Sequence, residues 1–140
     1  IGIAALSVGL AQGAFDAARR YVRERRQFGQ ALATFQAIQW KLADMATGIE
    51  ASRLLTYRAA YLKDQGRPTT RESSMAKLLA SQAAVQNVLD SMQVFGGYSV
   101  TGEYEIGRLL LEAKAMEFGE GTSELHTRLI AETMLGIRKQ

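Results

Sequence analysis

Apolar residues recur at spacings of three and four through most of this chain, which is the period of an α-helix and not the alternation of a strand. Ile3, Leu6, Leu10, Ala14, Ala18 and Tyr21 form one stripe and predict a first helix from about Gly2 to Gln27. Phe28-Gly29 breaks it, and a short loop leads to Thr34, which is placed to cap a second helix from about Phe35 to Gln65. Phe35, Ile38, Leu42, Met45 and Ile49 line one face there, and Leu55 and Leu62 continue the line with drift. Gly66 supplies the stop and Pro68 the break beyond it. Thr69 and Glu72 have the spacing of a capping box and open a third helix that runs to about Val94. Met75, Leu78, Leu79, Val85, Leu89 and Met92 are expected to face inward, and Gly96-Gly97 ends the run. After a loop from Tyr98 to Gly102, a shorter helix spans about Glu103 to Ala113. A final helix runs from about Ser123 to Ile137, capped by Thr122, with Leu125, Leu129, Ile130 and Met134 on its apolar side. The fold class is therefore all-α: an up-down four-helix bundle with an additional short helix, forming one domain over residues 1–140.

Composition narrows the function classes. With 47% apolar and 22% charged residues over 140 positions, the chain is globular and long enough for a sizeable core. A net charge of +3 is too mild to imply nucleic acid. The absence of cysteine excludes disulfides and thiolate metal sites, and the single histidine, His126, argues against any metal site. The opening run is uncharged and holds Gly9 and Gly13, but Gln12 and Asp16 interrupt it before the ~20 apolar residues a membrane span needs. It is expected to be a buried helix, and no membrane association is expected. No signal peptide is read, so a cytoplasmic location is expected, with the mitochondrial matrix as the alternative. The chain starts inside a helical pattern without a start methionine, which reads as a piece of a longer protein.

Two stretches carry candidate chemistry. Arg19, Arg20, Arg23, Arg25 and Arg26 crowd the end of the first helix. Cations favour a helix C-terminus, but five exceed what that needs; they are either a solvated face or an anion site suited to phosphate. The second stretch is Phe118-Gly119-Glu120-Gly121-Thr122-Ser123-Glu124-Leu125-His126. It sets a carboxylate between two glycines at a helix start, where a ligand can approach the backbone and free N–H groups face outward. That is an ordinary capped loop or the seat of a general base.

Three separated stretches resemble one family. Arg25-Arg26-Gln27-Phe28-Gly29 with Phe35-Gln36, Gln93-Val94-Phe95-Gly96-Gly97-Tyr98, and Glu120-Gly121-Thr122-Ser123-Glu124 are similar in order and spacing to segments of acyl-CoA dehydrogenases. Leu42-Ala43-Asp44-Met45 and Ala76-Lys77-Leu78-Leu79-Ala80-Ser81 also fit that family's helices. The resemblance covers essentially the whole chain and is to the C-terminal helical domain of the three such enzymes have. It implies oxidation of an acyl-CoA thioester to the 2,3-enoyl-CoA with FAD, an electron acceptor such as an electron-transfer flavoprotein, and a homodimer or homotetramer with FAD at a subunit interface. Glu120 falls on the catalytic base, with Gly119 and Gly121 against the substrate. Arg25 falls on the arginine that contacts the FAD pyrophosphate of a neighbouring subunit, and Phe28 on the aromatic near the adenine. Gln36, Gln93 and Gly97 fall on further contacts to that half of the cofactor, and Thr122 and Glu124 on contacts at the start of the last helix. Gln27, where the family varies, and Gly96 complete the cofactor set. Read without the resemblance, Gln93 is a helix-end hydrogen-bonder, Gly96-Gly97 a stop and Phe28 a core plug. There are three departures from the family pattern. Gly119 replaces a bulky aromatic, which leaves room for branched acyl groups. Glu105 and Leu111-Glu112 replace a proline and an Arg-Asp pair, and Ser99 replaces a glycine. A bundle that only oligomerises, and a related oxidase, are the competing functions.

Overall fold

The computed structural model describes residues 1–137, in which five α-helices follow one another: α1 (Gly2–Glu24), α2 (Gln36–Asp64), α3 (Thr70–Phe95), α4 (Ile106–Phe118) and α5 (Ser123–Leu135). The fold is all-α, as the periodicity predicts, and α3 is its axis, in contact with each of the other four helices. Three buried clusters stack along it. Ala4, Ala59, Ala76 and Ala80 form one end, Ala11, Ala14, Ile49, Ala84, Val88 and Ala113 the middle, and Ala18, Val22, Met45, Val94, Phe95 and Ile106 the other end.

The buried side of α1 is not the stripe of large residues. Ala4, Ser7, Ala11, Ala14, Ala18 and Val22 are buried, whereas Leu6 is 57% exposed. The facing side of α3 is also small, with Ala76, Ala80, Ser81, Ala84 and Ser91 fully or nearly fully buried, while Leu79 and Leu89, expected inward, are exposed. Small side chains let the two helix backbones approach closely, and the larger residues are displaced to the flanks of the seam. The buried hydroxyls are satisfied within it. Ser91 Oγ donates to Ala14 O across the seam at 2.8 Å, and Ser7 Oγ donates to Ile3 O at 2.8 Å. Polar ties join α2 to its neighbours: Lys41 pairs with Asp90 on α3, and Arg53 donates to Gln12 Oε1 on α1 at 2.7 Å.

Several ends differ from expectation. α1 stops at Glu24, and Arg26–Gln27 (β1) pairs antiparallel with Gln30–Ala31 (β2), so a two-stranded hairpin replaces the last helical turn and the loop. Its two-residue turn, Phe28-Gly29, has φ of 52° and 79°, the doubly left-handed turn that suits a tight hairpin. Thr34 does not cap α2. Its hydroxyl donates to Ala31 O, and the helix starts after an extended Phe35 without a side-chain cap. No capping box forms at Thr69, because Glu72 turns aside to pair with Arg71. Gly66, at φ 67°, does end α2, with Arg67 N bonded to Leu62 O at 3.0 Å.

α4 starts later and runs further than expected, to the first glycine beyond it, with a Lys114–Glu117 ion pair in its last turn. Gly107 is required there, since a Cβ would stand 2.9 Å from Ser99 O. Ser99 itself is buried and donates to Gly96 O at 2.8 Å, which gives this departure from the family pattern a local use. The altered charges are also accommodated, with Arg108 paired to both Glu105 and Glu112. α5 lies on α3, yet none of its residues is fully buried, and Met134 of its expected apolar stripe is 67% exposed.

Candidate functional site

The sequence motifs gather into two places at opposite ends of the bundle. The first is the four-residue link between α4 and α5. Gly119 leaves α4 in an extended conformation (φ −60°, ψ 136°), Glu120 follows at φ 53°, and Gly121 at φ 109°. A non-glycine residue at positive φ is uncommon and costs of order 1 kcal/mol, so the surroundings must hold it. Thr122 then caps α5, its Oγ1 accepting from Leu125 N at 3.4 Å. Glu120 is exposed. Glu124, one turn along and also exposed, has its carboxyl held below the usual range by its own backbone N–H and by the Thr122 hydroxyl.

Lys77 and His126 lie in stretches marked out in the sequence, but their role in holding the link was not read there. Lys77, near the start of α3 and 3% exposed, donates from Nζ to Glu117 O at 2.8 Å and to Gly121 O at 2.7 Å. The first is a carbonyl left open at the end of α4, where a cation is favoured. On the other side His126 closes in. A Cβ on Gly121 would lie 3.0 Å from Leu125 Cδ2 and 3.1 Å from His126 Nε2, so these side chains would have to give way, and φ 109° itself favours glycine. Both ring nitrogens of His126 are buried, with no hydrogen-bond partner among the described residues. One signal for Lys77 was present in the chain. It falls in register with Ser74, Ser81, Ala84 and Val88 on the inward side of α3, where a lysine is rare without a partner.

The second place is a cleft of about 490 Å³ at the far end of α1 and α3. Arg25, Gln27, Gly96 and Gly97 line it together with Tyr98. The Arg25 guanidinium sits 5.3 Å over the Tyr98 ring. Tyr21 stacks on Phe95 at 4.2 Å to form an aromatic floor; burial raises the Tyr21 hydroxyl pKa against the pull of Arg25. Of the five arginines, Arg25 is the one that lines the cleft; Arg19 pairs with Asp16, and Arg20, Arg23 and Arg26 are exposed. Phe28, Gln36 and Gln93 are exposed and do not line it. Phe28 is no core plug: it is 92% exposed at the hairpin tip, edge-on to Phe35 at 6.3 Å.

The two places are separated by the length of α1. A Cβ on Gly119 would touch Ile3 Cδ1 at 3.8 Å, at the start of that helix, and Arg25 stands at its end. A helix of 23 residues spans about 35 Å. Thr122, Glu124 and Glu120 therefore do not meet Arg25, Gln27, Gly96 and Gly97 within one copy of the chain.

The family described as acyl-CoA dehydrogenase, C-terminal domain, matches residues 1–135. The short-chain specific acyl-CoA dehydrogenase of Clostridium acetobutylicum is 46% identical over 131 residues, covering 94% of this chain and 35% of that protein. The caffeyl-CoA reductase–Etf complex subunit CarC of Acetobacterium woodii is 42% identical over 135 residues, covering 96% of this chain and 36% of that protein. Butyryl-CoA dehydrogenase from Megasphaera elsdenii superposes with a TM-score of 0.94 at 40% identity, over 96% of this chain and 35% of that structure. The chain thus spans about a third of the length of these relatives. With the motifs, the helical fold and the match over nearly the whole chain in agreement, the chain belongs to the acyl-CoA dehydrogenase family, as a C-terminal domain of that kind.

Proposed function

We propose that the chain is the C-terminal helical domain of a longer flavoenzyme that oxidises acyl-CoA thioesters to 2,3-enoyl-CoA, with Glu120 as the base. The observation that carries this is the backbone of Glu120. An exposed carboxylate at φ 53° between two glycines, fixed by a buried lysine, is a costly conformation for a spacer and a useful one for a base. The thioester carbonyl acidifies the α-carbon, and Glu120 takes that proton onto its carboxylate. Backbone N–H groups at this link and at the start of α5 are available to the carbonyl oxygen as it gains charge. FAD, when bound, supplies the two-electron acceptor for the hydride that leaves the β-carbon.

The residues fit such a cofactor in two halves. Arg25 offers a planar donor to a pyrophosphate, and Gly96 and Gly97 present backbone without Cβ atoms beside it. Thr122 and Glu124 stand beside the base. The helix-length separation exceeds an extended dinucleotide, so each flavin would take its two halves from two copies of the chain. A homodimer or homotetramer follows from that reading, as does an acyl-CoA site completed by domains outside this chain. Electron-transfer flavoprotein is the acceptor of choice, because one relative is named as part of an Etf complex. An oxidase would use the same domain geometry. A silent oligomerisation domain would have no use for the strained glutamate.

The test is made on the full-length, flavin-loaded protein. Acyl-CoA should bleach the flavin, and Glu120→Gln should abolish bleaching while flavin stays bound. Bleaching at the native rate in that variant removes the base assignment.

A further inference from the structure

Lys77 is the least expected residue of the core. Its ammonium is removed from water, yet it makes its hydrogen bonds to two neutral carbonyls and to no carboxylate. An apolar side chain of similar length would fill the same space without the desolvation cost. What the ammonium adds is the pair of charge-assisted bonds, and the two acceptors, Glu117 O and Gly121 O, bracket Gly119-Glu120-Gly121. One side chain thus ties the end of α4 to the residue before the Thr122 cap. From the other side, His126 and Leu125 pack tightly on Gly121, 3.1 Å and 3.0 Å from where a Cβ would stand. The imidazole suits this place as a neutral ring. Burial first, and then the Lys77 charge beside it, both push its pKa down.

We propose that Lys77 and His126 are positioning residues, which clamp the Gly119–Gly121 link from its carbonyl side and its Cα side and so aim the Glu120 carboxylate. The proposal rests on the reading of Glu120 as the base. Neither residue touches the reacting atoms. With the clamp loosened, Glu120 leaves its left-handed conformation and its carboxylate moves off the line to the α-carbon.

Full-length, flavin-loaded variants test it by single-turnover bleaching with acyl-CoA, expressed per bound flavin. Lys77→Met should slow bleaching about 100-fold, the scale of a misplacement near 1 Å, and His126→Ala about 10-fold. The acyl-CoA concentration that gives half the maximal rate should stay within about threefold of native in both, since substrate binding is not disturbed. A purely structural role would lower flavin content or melting temperature and leave the rate per bound flavin unchanged. Amide hydrogen exchange of a peptide covering 117–126 should rise in both variants, a readout independent of catalysis. If Lys77→Met does not fold, His126→Ala decides, because it lies on α5, where no side chain is fully buried. Native per-flavin rates and native exchange overturn the proposal. Glu120→Gln in parallel separates the two readings. A dead Glu120→Gln with fast positioning variants sinks the clamp alone, and a fast Glu120→Gln sinks the base.

Discussion

Glu120 and Phe28 are the two non-glycine residues at positive φ among those described, and each lies in a stretch that residue types alone mark out. The strain itself was not legible, because φ is set by what surrounds a residue. Gly119 shows the same division. Its place before Glu120 is read from the chain, but that it has ordinary backbone angles and room for a Cβ is a structural fact. The backbone there therefore accepts a residue with a side chain. In the full-length enzyme, Gly119→Tyr is expected to lower activity on branched acyl-CoAs about 10-fold more than on straight ones. Equal losses on both would remove the link between this glycine and substrate width. His126 carries a pH dependence of stability. Its folded pKa lies below the unfolded value, through burial and the Lys77 charge, with the Glu120 backbone, outside hydrogen-bond geometry, pulling weakly upward. The unfolded chain binds the proton more readily, so the contribution is whole above about pH 6.5 and is lost as pH falls toward the depressed folded pKa. Melting temperatures measured from about pH 7.5 down to about pH 5 should fall more steeply for the native domain than for His126→Gln. Parallel curves would show that the ring is not the titrating group.

At the scale of elements, periodicity placed every helix but misjudged which side of two of them is buried. The expected stripe of α1 and the buried one share Ala14 and Ala18, both fully buried; elsewhere they run one residue apart, Ile3, Leu6, Leu10 and Tyr21 beside Ala4, Ser7, Ala11 and Val22. The leucines have the larger hydrophobic gain, but the alanines permit closer contact with α3, and that contact decides. The seam makes a specific demand: Ala84, fully buried in the middle cluster, leaves no space for a larger residue. Ala84→Leu should cost about 1–3 kcal/mol in urea unfolding. Leu89→Ala, on an exposed position of the same helix, should cost under about 1 kcal/mol. A seam that accepted the leucine at no cost would be loosely packed, contrary to this account. The hairpin at Arg26–Ala31 was missed for a related reason. Two residues per strand are too few to show alternation, and Phe-Gly is not a usual hairpin turn pair.

The whole molecule leaves much apolar surface uncovered. On α2, Trp40, Leu54, Tyr57 and Tyr61 fall on one side by helical period and are each more than half exposed. On α4 and α5, Leu111, Phe118, Met134 and Leu135 are likewise exposed. Patches of this kind mark surfaces that are covered in use. The isolated domain is expected to self-associate as a dimer or tetramer, and a stable monomer in sedimentation at micromolar concentration would count against it. The separation of Arg25 from Glu120 by the length of α1 points the same way, since the two halves of the proposed cofactor site then come from different copies. Among the described residues, no helix is long and apolar enough to cross a membrane.

By itself the amino-acid sequence determined the helical class, the order and approximate ends of the helices, and the residues whose types and spacing match the family. Those are local properties, set by period, capping and glycine. Tertiary structure alone decided which face of each helix is inside, that Arg25 of five arginines lines the cleft, and that the buried Lys77 donates to carbonyls at both ends of the Glu120 link, with His126 packed beside it. Each depends on how closely two distant segments approach. No spacing along the chain encodes that distance, which is set by how the helices pack.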